Sequence, residues 1–225
     1  GYSTFYAQTG NVRNRGVELS LGYKNTWNKF TWNTNYTFSA NKNKILSLID
    51  GYVHPVTGEV ISKTQLDMKG LSNAHFILKE GGSLGDLYSM SDLKRDANNN
   101  IYVDADGSVK TESLKEGIKL GSVFPKANMA WRNDFQYKNF GFGFLLTARL
   151  GGIVYSATQA TLDANGVSEA SAIARDNGGV IINGGDVVSA EKWYTAIGGD
   201  SGIPQMYTYS ATNLRLQEEI GRAHV

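Results

Sequence analysis

The sequence predicts an all-β chain that is part of a transmembrane antiparallel β-barrel. It holds about five long strands, and its long extracellular loops carry small hairpins and a short helix. Three observations predict this. Several runs alternate apolar and polar residues with a period of two. The connections between runs are either very short or very long. Glycine is abundant (26 residues), aromatics supply 11% and proline only 3 residues, a composition of strands and turns.

The first run is 17–24, where Val17, Leu19, Leu21 and Tyr23 share one face and Glu18, Ser20, Gly22 and Lys24 the other. The second is 30–39, with Phe30, Trp32, Thr34, Tyr36 and Phe38 opposed by Thr31, Asn33, Asn35, Thr37 and Ser39. A tight connection around Asn25–Lys29 predicts a hairpin. In 127–138, Met129, Trp131, Phe135 and Tyr137 line one face, Asn133 being the exception, against Asn128, Arg132, Asp134, Gln136 and Lys138. A turn at Lys138-Asn139 leads into 140–150, where Phe140, Phe142, Phe144, Leu146, Ala148 and Leu150 alternate with Gly141, Gly143, Leu145, Thr147 and Arg149. A final run over 206–218 is less regular, with Met206, Leu214 and Leu216 on one side and Tyr207, Tyr209, Asn213 and Arg215 on the other.

Runs of this length suit a tilted strand crossing a bilayer. Tight turns follow Lys24 and Tyr137, whereas 41–126 and 152–205 are very long, the alternation expected of a barrel with short periplasmic turns and long outer loops. Slipping 140–150 by one residue would turn Arg149 toward lipid, at a cost of roughly 2–4 kcal/mol near the midplane. A soluble β-sandwich has the same periodicity, so the pattern leaves it open. Helical insertion is excluded: the most apolar stretch, Phe140 to Gly152, is interrupted by Arg149 and four glycines.

Lys+Arg number 22 and Asp+Glu 21, a formal charge of +1, so no global charge points to nucleic acid. Without cysteine there is no disulfide framework, thiolate metal site or cysteine nucleophile. His54 and His75 stand in no catalytic or metal-binding spacing, and Gly141-Phe-Gly143 lacks the third glycine of a dinucleotide fingerprint. Asp96 to Gly107 fails as a calcium loop, because Ile101 and Gly107 occupy the positions that need glycine and glutamate. That stretch reads as a hairpin, Ile101–Val103 returning through Asp106-Gly107 to Val109. Neither an enzyme, a cofactor nor a metal is expected.

Five strands cannot close a barrel, and open edges are not tolerated in hydrocarbon, so residues 1–219 are expected to be a partial C-terminal portion of a larger wall. The tail Ile220-Gly-Arg-Ala-His-Val225 can be encoded by a stretch that looks like a common sequencing adapter, so 220–225 are expected to be non-native.

With the strands placed, five segments resemble one family in order. They are Asn11-Val-Arg-Asn-Arg-Gly-Val-Glu-Leu19, Tyr36 to Ile45, Ile77 to Tyr88, Phe124 to Lys138, and Tyr209-Ser-Ala-Thr-Asn-Leu-Arg-Leu-Gln-Glu218. Together they resemble the late barrel of SusC/RagA-type TonB-dependent outer-membrane transporters. The resemblance implies a barrel of about 22 strands with an N-terminal plug. It also implies a SusD-like surface lipoprotein partner, energisation through TonB, and import of oligosaccharides or peptides across the outer membrane of Bacteroidota. The plug, the TonB-contacting segment and the closing strands are outside this sequence.

Candidate residues follow from these faces. Leu19, Leu21, Phe30, Trp32, Tyr36, Phe38, Met129, Trp131, Phe135, Phe140, Phe142, Phe144 and Leu146 are expected to face lipid. Glu18, Asn33, Asn35, Arg132, Asp134 and Arg149 are expected to face the lumen, where hydration, plug contact and solute contact are equally compatible with their spacing. In the loops, Tyr52, His54, Tyr88, Trp193 and Tyr194 are candidates for a substrate or a lid, and packing of the loops themselves is the competing role. Residues 167–176 predict the short helix, with Arg175 and Asp176 structural. A soluble glycan-binding β-sandwich and a small adhesive outer-membrane barrel remain as alternatives.

Overall fold

The computed structural model describes residues 10–223. The strands before the first helix are β1 (Asn11–Trp27), β2 (Phe30–Ser47), β3 (Ile49–Val53), β4 (Val60–Lys63), β5 (Gln65–Leu71), β6 (Ala74–Lys79), β7 (Asp86–Leu93), β8 (Thr111–Ser122), β9 (Ala127–Tyr137), β10 (Phe140–Leu150) and β11 (Ile153–Tyr155). Helices α1 (Ala157–Ala164) and α2 (Glu169–Asp176) precede β12 (Val180–Ile182) and β13 (Asp186–Val188). Helix α3 (Ala190–Ile197), a 3-10 turn (Pro204–Tyr207), β14 (Thr208–Ser210) and β15 (Asn213–Ala223) end the described chain. The class is all-β. The chain divides into two compact units, one of described residues 12–44, 123–153 and 210–223, the other of 10–11, 45–122 and 154–209.

The first unit is one antiparallel sheet in the order β1-β2-β9-β10-β15, an open piece of barrel wall. Its register brings the aromatic positions of successive strands side by side. Phe30, Tyr137 and Phe140 form one row, Trp32, Phe135 and Phe142 the next, and Tyr36, Trp131 and Leu146 another. The rings stack: Trp32 on Phe135 at 6.3 Å, Phe135 on Phe142 at 6.4 Å, and Trp131 edge-on to Phe144 at 5.9 Å. Such pairs contribute about 0.5–1.5 kcal/mol each beyond their buried area.

Asn133, the polar exception on this face, is 1% exposed and accepts a hydrogen bond from the Trp32 indole N–H at 3.0 Å. The Trp131 indole donates to Thr34 Oγ1 at 3.0 Å, and that hydroxyl donates to the Arg132 carbonyl at 3.1 Å. Both indole N–H groups are therefore satisfied within the apolar face.

Two-residue loops join β1 to β2 and β9 to β10, with Asn28 and Lys138 at positive φ (55° and 51°). Asn tolerates that region readily, and Lys138 holds its ammonium 5.5 Å from the Tyr137 ring centroid. Strands β1 and β2 run for 17 and 18 residues, well past the alternating stretches 17–24 and 30–39. Ladder bonds use backbone alone, so polar residues extend the strands. Asn14 Oδ1 accepts from Asn43 Nδ2 at 2.9 Å, and a Cβ at Gly16 would stand 2.5 Å from the Ala40 carbonyl.

The run expected over 206–218 is divided. Met206 and Tyr207 lie in the 3-10 turn, and the wall strand is β15. A bulge between Leu145 and Leu146 leaves Gln217 without a partner, so Leu216 opposes Leu146 and Glu218 opposes Leu145. That change of phase explains the irregular alternation.

The second unit folds around its own core of Leu93, Val109, Ala160, Ile182, Ile197 and Ile203. A four-stranded sheet β5-β6-β7-β8 and the hairpins β3–β4 and β12–β13 belong to it. The predicted hairpin near 101–109 is present as a bridge between Val103 and Val109, closed by Gly107 N–H donating to the Asp104 carbonyl at 2.9 Å. The predicted helix is α2, and α1 and α3 accompany it. Each begins on a serine whose hydroxyl accepts from the backbone N–H three residues on: Ser156 from Gln159, Ser168 from Ser171 and Ser189 from Lys192.

Two substitutions test this packing. Trp32→Phe leaves the buried Asn133 oxygen unpaired and is expected to cost about 1–3 kcal/mol in detergent melting of the complete protein, with Asn133→Leu in the same chain recovering part of the loss. Gly198→Ala would place a Cβ 2.6 Å from the Ala160 carbonyl and 2.8 Å from that of Tyr194. It should loosen the α1–α3 packing by about 1–3 kcal/mol, read as faster hydrogen exchange across 157–199.

Candidate functional site

The polar face of the five-stranded sheet gathers Arg132, Asp134 and Glu218, whereas Glu219 opposes Phe144 on the aromatic side. Period-two geometry places Arg132 and Asp134 two residues apart on β9, beside Asn35 and Asn33 of β2 respectively. Across β10 they meet Leu145 and Gly143. Arg132 Nε donates to Asp134 Oδ2 at 3.0 Å, and its Nη1 donates to Glu218 Oε2 of β15 at 2.9 Å. One guanidinium thus ties β9 to β15 across β10 through two carboxylates.

Glycine makes the arrangement possible. A Cβ at Gly143 would lie 2.7 Å from Asp134 Oδ1, and one at Gly141 2.8 Å from Gln136 Oε1. The side chains of β9 occupy the space that β10 leaves empty. Glu218 reaches this face because of the bulge at Gln217.

Asn33, Asn35 and Glu18 are exposed, and Arg132 and Asp134 half-buried. Arg149, at the far end of β10, donates from Nη2 to the Val123 carbonyl at 2.7 Å, which clasps the segment entering β9. On the opposite face Leu19, Leu21, Trp131, Phe140 and Phe142 are exposed despite their apolarity. Phe30, Trp32, Tyr36, Phe38, Met129, Phe135, Phe144 and Leu146 lie half-buried beside them. A contiguous apolar face of this extent requires an apolar neighbour.

In the loop unit, Tyr52 lies on β3, and His54 follows it into the turn to β4. His54 Nδ1 accepts from the backbone N–H of Thr57 at 3.1 Å and of Val56 at 3.3 Å. Tyr88 is 6% exposed on β7, with the Lys79 ammonium 5.3 Å from its ring centroid. Burial pushes its pKa up. Trp193 and Tyr194 lie on α3 and pack against the loop core. Burial and then the Asp163 charge raise the Tyr194 pKa.

Sequence reading did not single out Asp86 or Asp163. Asp86 is 2% exposed and pairs with Lys119 at 2.6 Å. Asp163 is 5% exposed and accepts from Gln159 Nε2 at 2.8 Å. Only the i, i+4 spacing of Gln159 and Asp163 on a helix would have flagged the second, and that helix was not foreseen. Asp67 takes hydrogen bonds from Lys69 Nζ at 2.9 Å and pairs with His75 Nδ1 at 3.0 Å. Burial works to raise its pKa, but the Lys69 side chain and backbone and then His75 outweigh it, so the pKa falls below the usual value. Among the described residues no cluster of three or more His, Asp or Glu is placed to hold a metal ion.

No family model matches the chain. It is similar to TonB-dependent receptor P3 of Formosa agariphila, 28% identical over 169 residues that cover 70% of this chain and 17% of that protein. It is similar also to TonB-dependent receptor SusC of Bacteroides thetaiotaomicron, 29% identical over 150 residues, 65% of this chain and 15% of that one. TonB-dependent receptor P39 of Formosa agariphila is 23% identical over 206 residues, covering 69% of this chain and 18% of its own. The chain resembles a piece of a SusC-type TonB-dependent receptor. It spans less than a fifth of the length of these receptors.

A carboxyl with a depressed pKa stabilises the fold above its unfolded pKa and loses that contribution as pH falls through the folded one. Intrinsic-rate-corrected hydrogen exchange across 65–79 should therefore stay slow at neutral pH and accelerate below the ordinary carboxylate pKa of about 3.9. Asp67→Asn should remove that dependence.

Proposed function

We propose that the five-stranded sheet is a stretch of the wall of an outer-membrane TonB-dependent transporter, and that the protein to which it belongs imports oligosaccharides or peptides. The observation that carries this reading is the division of the sheet into two registered faces. One is a set of stacked aromatics, exposed or half-buried, and the other holds the Arg132, Asp134 and Glu218 network with Asn33, Asn35 and Glu18. A bilayer on the first side and an aqueous lumen on the second satisfy both, at the lengths a tilted membrane strand needs. Similarity to SusC and to other TonB-dependent receptors supports the same assignment.

In this reading a surface lipoprotein of the SusD kind closes over the mouth, and TonB supplies energy through a part of the protein outside this chain. The loop unit meets cargo or lid, with Tyr52 and His54 its candidates on the β3–β4 hairpin and Trp193 and Tyr194 on α3. The protein is a transporter and performs no chemistry on its cargo.

Adjacent positions on β10 test the assignment. In the complete protein, a spin label at Phe142 should be quenched by a lipid-soluble relaxant and one at Gly143 by a water-soluble one. Water access at both positions, or recovery of the complete protein away from outer membranes, rejects the proposal.

A further inference from the structure

Strands β1 and β2 run for 17 and 18 residues, but β9 accompanies β2 only from Phe30 to Ser39. That paired stretch already has the length a tilted strand needs to cross a bilayer. The rest of the β1–β2 ribbon therefore continues past the apolar face, at the end away from the two-residue loops. Thr26 meets Thr31 near the turn and Asn14 meets Asn43 far from it, with Gly22 beside Asn35 and Gly16 beside Asn41 between them. The register is thus unbroken, and it sets Arg15 opposite Lys42 and Arg13 opposite Lys44.

Period-two alternation decides the side. Arg13 and Arg15 continue the face of Val17, Leu19 and Leu21, and Lys42 and Lys44 that of Tyr36 and Phe38. All four cations fall on the side turned to lipid, whereas Asn14, Asn41 and Asn43 take the other. At the rise of a strand, Lys42 and Lys44 stand about 10 and 17 Å past Ser39, at the depth of headgroups rather than of acyl chains. Arg13, Arg15 and Lys42 are exposed and Lys44 is half-buried.

The fold supplies these charges with no counter-charge. Like charges directly opposite on a ladder repel. Among the described residues none of the four takes part in an ion pair. The one carboxylate in 11–18 and 40–47, Glu18, falls on the other side of the ribbon. Two guanidinium forks and two ammonium groups suit phosphate oxygens. Their continuity with the apolar face selects a phosphate carried on a lipid over one in solution. We propose that Arg13, Arg15, Lys42 and Lys44 bind the phosphate groups of an anionic lipid in the outer leaflet, an inference that rests on the membrane reading above.

The test uses the complete receptor, purified in detergent, with native mass spectrometry reading the binding of bis-phosphorylated lipid A, of the same lipid stripped of its phosphates, and of inorganic phosphate. The phosphorylated lipid should bind, and either loss of its phosphates or the double substitution Arg15→Gln with Lys42→Gln should weaken binding about tenfold. Both side chains are exposed and the variant relieves a like-charge pair, so its melting temperature should not fall. Lys24→Gln with Lys29→Gln removes the same charge near the β1–β2 turn and should leave the affinity unchanged. Equal binding of the lipid with and without phosphates, equal loss in the two double variants, or displacement of the lipid by inorganic phosphate overturns the proposal and leaves the membrane assignment intact. Water access at both labels on β10 overturns the membrane assignment and this proposal with it.

Discussion

The stacking of Trp32, Phe135 and Phe142 across three neighbouring strands is the contact on which the wall depends. Because side chains alternate, those rings can be adjacent only in one register of β2, β9 and β10. That register decides every other placement, including which charges share the opposite face. Moving one strand by a single residue would separate the rings and carry Arg132 or Arg149 to the aromatic side.

The two faces solve opposite problems with the same backbone. On the aromatic side the difficulty is polarity, and Asn133 and Thr34 relieve it by receiving the indole N–H groups of Trp32 and Trp131. On the polar side the difficulty is space. Gly141 and Gly143 give up their side chains so that Gln136 and Asp134 can lie across β10. The pattern of phenylalanine alternating with glycine in β10 thus answers to its two faces separately.

Much of the wall could be read from the sequence because a period of two leaves little freedom once aromatics mark one side. The register of β9 and β10 follows from Tyr137 and Phe140 flanking a two-residue turn. The phase change at Gln217 could not be read, since a bulge is defined by its partner strand, and Glu218 was therefore not connected to Arg132. The added lengths of β1 and β2 escaped for a related reason: Asn14 and Asn43 pair through side chains that carry no hydrophobic signal. In the loops, α1 and α3 are only eight residues each, too short for a helical period to stand out, and their serine caps resemble ordinary loop serines. Buried Asp163 was hidden with them.

The loop unit has a core of its own, built from Leu93, Ile182, Ile197 and Ile203, and none of these residues belongs to the wall strands. Its stability is therefore settled locally. The paired residues of β2, β9, β10 and β15 all lie outside 45–122 and 154–209, so this unit is free to diversify as an exchangeable cassette without removing a pair from that ladder.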